Sequence, residues 1–256
     1  MASGDPGVVH VHGLGINPAD NTLFAATHTG LFRIANNGRA ERVGPSQDTM
    51  GFTVAGPDHF LGSGHPDLRD LRSGKFQPLL GLVESTDAGR TWHSLSLPGK
   101  TDFHVLRFRH GLVYGFDSTS AAFMVSPDGK TWDSRINLRI ADFTVSPDNA
   151  DILIATVDTG LLRSANGGRS WQFQRGQPML LLAWPQADLL WALDSMGALH
   201  ASADGGTTWV AKGQLGGAPE AFLAANGKLY AAVHEKGILV SDDGGASWRV
   251  LYQEKR

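Results

Sequence analysis

The sequence predicts an all-β fold, a six-bladed β-propeller whose blades are four-stranded antiparallel sheets. Three observations lead there. First, a pattern close to S-x-[DN]-x-G-x-[ST]-W returns five times, four times at eight residues and once one residue shorter: STDAGRTW from Ser85, the shorter SPDGKTW from Ser126, SANGGRSW from Ser164, SADGGTTW from Ser202 and SDDGGASW from Ser241. The steps between the serines are 41, 38, 38 and 39 residues. A fixed period of this size means one supersecondary unit copied around an array. Second, each pattern sits among four short runs rich in Val, Ile, Leu, Phe and Thr, bounded by Gly, Asn, Asp and Pro, which read as strands. Third, the 256 residues include 32 Gly and 12 Pro, a composition of frequent turns and few helices.

Taken in order, the blades are expected at about 8–44, 48–97, 101–137, 139–176, 179–215 and 219–253, with 1–7 as an N-terminal extension. Strands are labelled A to D within a blade. Blade 1 opens with VVHVHGLGINP, continues with TLFAATHT and GLFRIANNG, and closes on AERVG. Its copy of the pattern is eroded: Asn36, Asn37 and Gly38 keep the turn, but the Trp is missing. Blade 2 opens at DTMGFTVAG, blade 3 at DFHVLRFRH, blade 4 at RIADFTVSP, blade 5 at MLLLAWP and blade 6 at EAFLAANG. The chain starts on a strand A and ends on a strand D, so no blade should be stitched from both termini.

The repeated pattern has a structural rationale. Asp or Asn at its third position can hydrogen-bond the backbone of its own turn. Gly supplies the positive φ of a tight hairpin. Trp is a large amphipathic ring suited to the wedge between blades. Trp92, Trp132, Trp171, Trp209 and Trp248 are therefore expected to be structural.

The net charge of −3 and the lack of a basic stripe argue against nucleic acid as a partner. The most apolar stretch, Met179 to Leu193, is interrupted by Pro185, Gln186 and Asp188 and does not read as a membrane span. There is no cysteine, which removes disulfides, thiolate metal sites and a cysteine nucleophile from consideration.

The boxes resemble the Asp-box, or bacterial neuraminidase repeat, of sialidases, other glycoside hydrolases, sortilin-type receptors and photosystem assembly factors. HVHGLGINP, ATHTGLFR and GSGHPD also resemble exported bacterial proteins described as glycosylhydrolase-like. The resemblance implies an extracytoplasmic protein whose signal segment lies outside this sequence. It implies the fold and not a reaction, because one fold hosts unrelated functions. The sialidase catalytic pattern is not recovered. Arg33, in FRIA, aligns with the repeat position of Arg163, and Tyr114, Tyr230 and Tyr252 do not fall at mouth positions.

Function has to lie where the blades differ. The boxes occupy one face, so the starts of strands A and the ends of strands B share the other. Strand B ends in His28, His65, Asp117, Asp158, Asp194 and His234. Strand A starts bring His10 and His12 in blade 1, Asp48 and Met50 in blade 2, and Asp102 and His104 in blade 3. Blade 6 offers mainly Glu220. Alternation along a strand should point His10 and His12 the same way. The polar set thus gathers in blades 1 to 3.

Several imidazoles converging in one place oppose one another's ionisation, and a bound cation resolves the conflict. His10, His12, His28, His65 and His104 are the candidate ligands for a transition metal, copper first because Met50 offers a soft thioether, zinc second. Asp48, Met50, Asp67, Arg69 and His234 are candidates for supporting ligands or substrate contacts. An alternative is a hydrolase of glycans, esters or lactones, using Asp102, His104 and Asp117 as catalytic groups, with or without metal-activated water. A third is a protein- or glycan-binding module. The long loop PDLRDLRSGKFQPLL after His65 could bring Arg69, Arg72 and Lys75 to a small anionic ligand.

Overall fold

The computed structural model describes residues 7–67, 71–74, 77–174 and 176–253. They form six four-stranded antiparallel sheets, each in sequential order. Blade 1 holds β1 (Val11–Ile16), β2 (Leu23–Thr27), β3 (Gly30–Ile34) and β4 (Ala40–Val43). Blade 2 holds β5 (Asp48–Gly56), β6 (His59–His65), β7 (Leu82–Ser85) and β8 (His93–Ser96). Blade 3 holds β9 (Phe103–Arg109), β10 (Leu112–Asp117), β11 (Ala122–Ser126) and β12 (Asp133–Asn137). Blade 4 holds β13 (Asp142–Val145), β14 (Leu153–Val157), β15 (Gly160–Ser164) and β16 (Gln172–Gln174). Blade 5 holds β17 (Leu181–Gln186), β18 (Leu189–Leu193), β19 (Ala198–Ser202) and β20 (Val210–Gln214). Blade 6 holds β21 (Pro219–Ala225), β22 (Lys228–Val233), β23 (Gly237–Ser241) and β24 (Arg249–Tyr252).

The first strand of each blade is innermost, and β21 of the last blade packs on β1 of the first. The ring closes without a blade shared between the two ends of the chain. Closure removes free sheet edges at the axis and leaves only the outer strands as edges.

The core is divided by blade junction. Among the described residues there are six apolar clusters, and each draws its side chains from two neighbouring blades. Five of them take in the Trp of the second blade's box: Trp92 between blades 1 and 2, Trp132 between 2 and 3, Trp171 between 3 and 4, Trp209 between 4 and 5, and Trp248 between 5 and 6. The junction of blades 6 and 1 has no Trp; Val8, Leu251 and Tyr252 fill it instead. The erosion of the first box is thus matched by apolar residues from both ends of the propeller.

The box turns are built on Ser and Asp. In blade 2, Ser85 Oγ accepts from the Gly89 amide at 2.8 Å and Asp87 Oδ1 accepts from the Thr91 amide at 2.9 Å. Trp92 Nε1 donates to the Gly89 carbonyl at 3.1 Å. Asn166 does the work of Asp in blade 4, accepting from the Ser170 amide at 2.9 Å and donating to Ser170 Oγ. These bonds outweigh the effect of burial and hold the Asp87 carboxyl down at about 2; backbone and side-chain bonds do the same for Asp128, Asp204 and Asp243.

Candidate functional site at the channel mouth

The inner strands surround a central cavity of about 760 Å³. Its walls are about equally polar and apolar, with Phe52, Leu106, Trp184 and Phe222 among the apolar lining residues. His12, Met50, His104 and Glu220 also line it. These four share a structural cause. In β1, β5, β9 and β21 the register with the second strand slips by one residue near the start, between Val11 and Gly13, Thr49 and Gly51, Phe103 and Val105, and Pro219 and Ala221. The extra residues in these bulges are His12, Met50, His104 and Glu220. A β-bulge leaves one residue unpaired and re-aims its side chain. Four of the six inner strands therefore turn an imidazole, thioether or carboxylate side chain into the mouth by the same device, and no such slip occurs at the start of β13.

Simple strand alternation does not bring His10 and His12 together. His10 precedes β1 and has φ of 46°, a left-handed conformation uncommon for a residue with a Cβ. This backbone and the bulge at His12 place the two rings edge to face, 4.8 Å between centroids. His28, in the turn just after β2, stacks on His10 at 5.1 Å and meets His12 edge to face at 4.4 Å. One ring nitrogen from each of the three lies within 4.8 Å of the others.

His12 Nε2 is 3.1 Å from His28 Nδ1, and His28 Nδ1 is 3.1 Å from Asp48 Oδ2. His12 Nε2 is also 3.5 Å from Asp48 Oδ1, an oxygen that is buried and has no hydrogen-bond donor. Burial pulls the His12 imidazole below its ordinary value, with the attraction of the nearby Asp48 carboxylate pulling back. Burial acts to raise Asp48, but the attraction of the His12 and His28 imidazoles wins and its carboxyl ends below the ordinary value. The result is a neutral imidazole next to an ionised carboxylate. The three contacts cannot all be hydrogen bonds at once: if both ring nitrogens donate to the Asp48 carboxylate, neither has a lone pair left to accept from the other. A metal with bonds of about 2.0–2.1 Å in tetrahedral geometry sets its ligand atoms about 3.3 Å apart. The His12–His28 and His28–Asp48 Oδ2 contacts, 3.1 Å each, lie near that spacing, while the 3.5 Å contact from His12 runs to the other carboxylate oxygen, Oδ1.

The five candidate histidines do not form one group. His65 and His104 meet at Asp102: His104 Nε2 lies 2.9 Å and His65 Nε2 3.5 Å from Asp102 Oδ2. Ser118 Oγ donates to the same oxygen at 3.3 Å. His65 follows Gly64, whose φ of 138° carries the strand past the Asp48 carbonyl, where a Cβ would collide. Burial acts to raise Asp102, and the hydrogen bond from His104 with the nearby imidazoles brings it below its ordinary value.

A third carboxylate, Glu220, was not singled out as a site residue, although its place at the start of blade 6 matches those of His12 and His104. Its Oε1 is 3.1 Å from His10 Nδ1 and 2.9 Å from His234 Nδ1, and its Oε2 accepts from the Val11 amide at 2.9 Å. Blades 6, 1, 2 and 3 thus carry an arc of six imidazoles around three carboxylates. Asp117 is 1 % exposed, and its oxygens accept from the Asp102 amide and from Thr119 and Ser120 of its own turn. Asp67 lines a separate cavity of about 130 Å³ with Pro66, Trp92 and Pro98. Arg69 and Lys75 lie outside the described residues, and Arg72 is exposed. Arg33 pairs with Glu41 on β4 at 2.8 Å, in line with a place on the outer part of blade 1.

Deeper in the channel Asp142 is buried and accepts from Arg107 Nη2 at 2.6 Å, from the Phe143 amide and from the Leu182 amide of blade 5. Burial pushes its carboxyl up, against the pull of Arg107 and the two amides. Arg109 Nη1 donates to the Trp184 carbonyl at 2.7 Å. These residues tie inner strands together.

No family model matches the chain, and no curated protein matches its sequence. Solved structures do. An ancestral GH74 enzyme matches at 15 % identity and a TM-score of 0.61, over 97 % of this chain and 39 % of the enzyme. The GH74 xyloglucanase from Xanthomonas campestris matches at 18 % identity and a TM-score of 0.62, over 95 % of this chain and 45 % of the xyloglucanase. This chain therefore spans less than half the length of either. A putative gluconolactonase matches at 16 % identity and a TM-score of 0.70, over 93 % of this chain and 90 % of that protein. At these identities the likeness is one of fold. Among the described residues, no helix is long and apolar enough to cross a membrane.

Proposed function

We propose that this protein is an Asp-box propeller that binds a transition-metal ion at the mouth of its central channel, through His12, His28 and Asp48, with His10 beside them. The observation that carries the reading is the convergence of His12 Nε2 and His28 Nδ1, 3.1 Å apart, on the two oxygens of Asp48, His28 at 3.1 Å from Oδ2 and His12 at 3.5 Å from Oδ1, with one ring nitrogen from each of His10, His12 and His28 within 4.8 Å of the others. Copper is preferred to zinc. A site of nitrogen and oxygen donors generally holds Cu(II) more tightly than Zn(II), and the Met50 thioether, two residues beyond Asp48, suits copper further.

A second reading is hydrolysis, which the exposed His104 favours. Asp102 holds its Nε2 at 2.9 Å, which leaves Nδ1 as the ring's lone pair beside the channel. An imidazole oriented by a carboxylate is suited to general-base work, and a nearby metal could supply the activated water. The names of the GH74 enzymes and of the putative gluconolactonase agree with a glycan or lactone as substrate, at the level of fold alone.

The test is elemental analysis of untagged, copper- or zinc-loaded and desalted protein, beside His12→Ala and His28→Ala. The wild type should retain metal in stoichiometric amount and both variants should lose it. Retention that neither change alters would refute the metal reading. Chromogenic glycosides, esters and lactones, assayed with His104→Ala, test the second reading.

A further inference from the structure

We propose that Glu220 of the last blade positions His10 as a further ligand of the ion at the mouth, so that the bound ion clasps the two ends of the propeller together. The inference rests on the metal reading of the mouth and deepens it.

The ring closes where β21 of blade 6 packs on β1 of blade 1, at the junction that has no Trp. Glu220 is the extra residue of the β21 bulge, which frees its side chain from the ladder of its own blade. It crosses to blade 1. Its Oε2 accepts from the Val11 amide at 2.9 Å, and its Oε1 is 3.1 Å from His10 Nδ1. His234 Nδ1, from blade 6, lies 2.9 Å from the same Oε1. Burial acts to raise the Glu220 carboxyl, yet the Val11 amide and the two imidazoles hold it below its ordinary value.

An ionised carboxylate accepts and does not donate, so His10 Nδ1 carries the hydrogen. In the neutral ring the lone pair is then on Nε2, the nitrogen left for an ion. An imidazole whose other N–H is held by a carboxylate is the usual arrangement of a metal-ligating histidine, and the carboxylate fixes its tautomer and orientation.

Two further observations point the same way. Among the described residues, His10, His12 and His28 are the set whose ligand atoms come within 4.8 Å of one another. His10 also holds a φ of 46°, a conformation that persists in a residue with a Cβ only where its surroundings over-determine it. Here the Glu220 contact and the rings of His12 and His28 do so. Three neutral imidazoles beside the Asp48 carboxylate suit zinc or copper. Blades 1 and 2 would supply the ligands, and blade 6 would hold one of them by its outer nitrogen. Filling the site would therefore fasten β1 to both of its neighbours.

The experiment is titration of apo-protein with zinc chloride against a chromogenic chelator, with Cu(II) electron paramagnetic resonance as a second readout, on wild type, His10→Gly, His12→Ala, Glu220→Gln and Glu220→Ala. Glycine takes the positive φ of position 10 without steric cost, and glutamine keeps an acceptor oxygen for His10. Circular dichroism checks that each folds. Glu220→Ala should weaken zinc binding about 10- to 100-fold. Glu220→Gln should recover part of that loss, and His10→Gly should bind no better than Glu220→Ala. The Cu(II) spectrum of His10→Gly should show one nitrogen donor fewer than that of the wild type. At saturating zinc, amide exchange in β21 should slow in the wild type and not in Glu220→Ala. Wild-type affinity in His10→Gly and Glu220→Ala, with loss in His12→Ala, would overturn this inference and leave the ion at His12, His28 and Asp48 standing. Weakened binding in His10→Gly with wild-type affinity in Glu220→Ala would make His10 a ligand without Glu220, which also overturns it. No binding by the wild type would refute the metal reading and this inference with it.

Discussion

Asp48 and His65 are direct partners across β5 and β6, yet their side chains serve different clusters. Asp48 reaches the imidazoles of blade 1, and His65 reaches the carboxylate of blade 3. The pair shows how the mouth is organised. Each of these two carboxylates at the start of an inner strand meets a histidine from the second strand of the preceding blade: His28 with Asp48, and His65 with Asp102. Neighbouring blades are joined by polar contacts on the face where function is proposed, and by apolar wedges below it.

Metal should stabilise the fold. A ligand that binds only the folded state adds about 2.7 kcal/mol at a free concentration one hundred times its Kd. The Tm of apo-protein should therefore rise on addition of zinc or copper, and less so in His28→Ala. A Tm that stays constant as metal is titrated to saturation would count against binding at His12, His28 and Asp48.

The box carboxylates should govern behaviour in acid. Asp204 is held at about 2, against an ordinary value of 3.8, mainly by the Thr208 amide and hydroxyl and by Ser202. A carboxyl depressed in the folded state stabilises above its unfolded pKa, and that contribution is lost as pH falls toward the folded value. The window is therefore from about pH 4 down to about pH 2. Asn166 already occupies this place in blade 4. Asp204→Asn should fold and should show a flatter decline of Tm across the window than wild type. Parallel profiles for the two proteins would refute the assignment.

Phe123 ties blade 3 to blade 4, lying 5.1 Å from the Phe143 ring and 5.6 Å from Trp171. It is fully buried. Phe123→Ala should cost about 3–5 kcal/mol in denaturant unfolding. Metal uptake per folded molecule should not change, since Phe123 lies in the apolar wedge and not among the mouth residues. Loss of uptake in the folded variant would mean that the wedge and the mouth are coupled.

The junction of blades 6 and 1 should be the weak seam if Tyr252 is removed. Tyr252 and Leu251 stand there where the other junctions have a Trp. Tyr252→Ala should destabilise by about 3–5 kcal/mol, by analogy with other large-to-small aromatic changes. Amide exchange should accelerate first in β1 to β4 and β21 to β24. Uniform acceleration around the ring would argue against a local seam.

The number of blades, their strand order, the placement of the boxes and the face that gathers the histidines were legible in the sequence. These depend on a repeat near 40 residues and on alternation within short strands, both of which are local. The junction residues were partly legible, since each Trp is marked by its box; Tyr252 as the substitute in the last junction was not, because it belongs to a different blade from the box it compensates. The four bulges were hidden for a related reason. A one-residue slip near a strand start leaves the apolar pattern after it almost unchanged, yet it decides where His12, Met50, His104 and Glu220 point. Only the tertiary structure divided the histidines among Asp48, Asp102 and Glu220, and committed Asp117 to its own turn. Partner choice is set by the angle and distance between adjoining blades once the ring has closed, and no spacing along the chain encodes that.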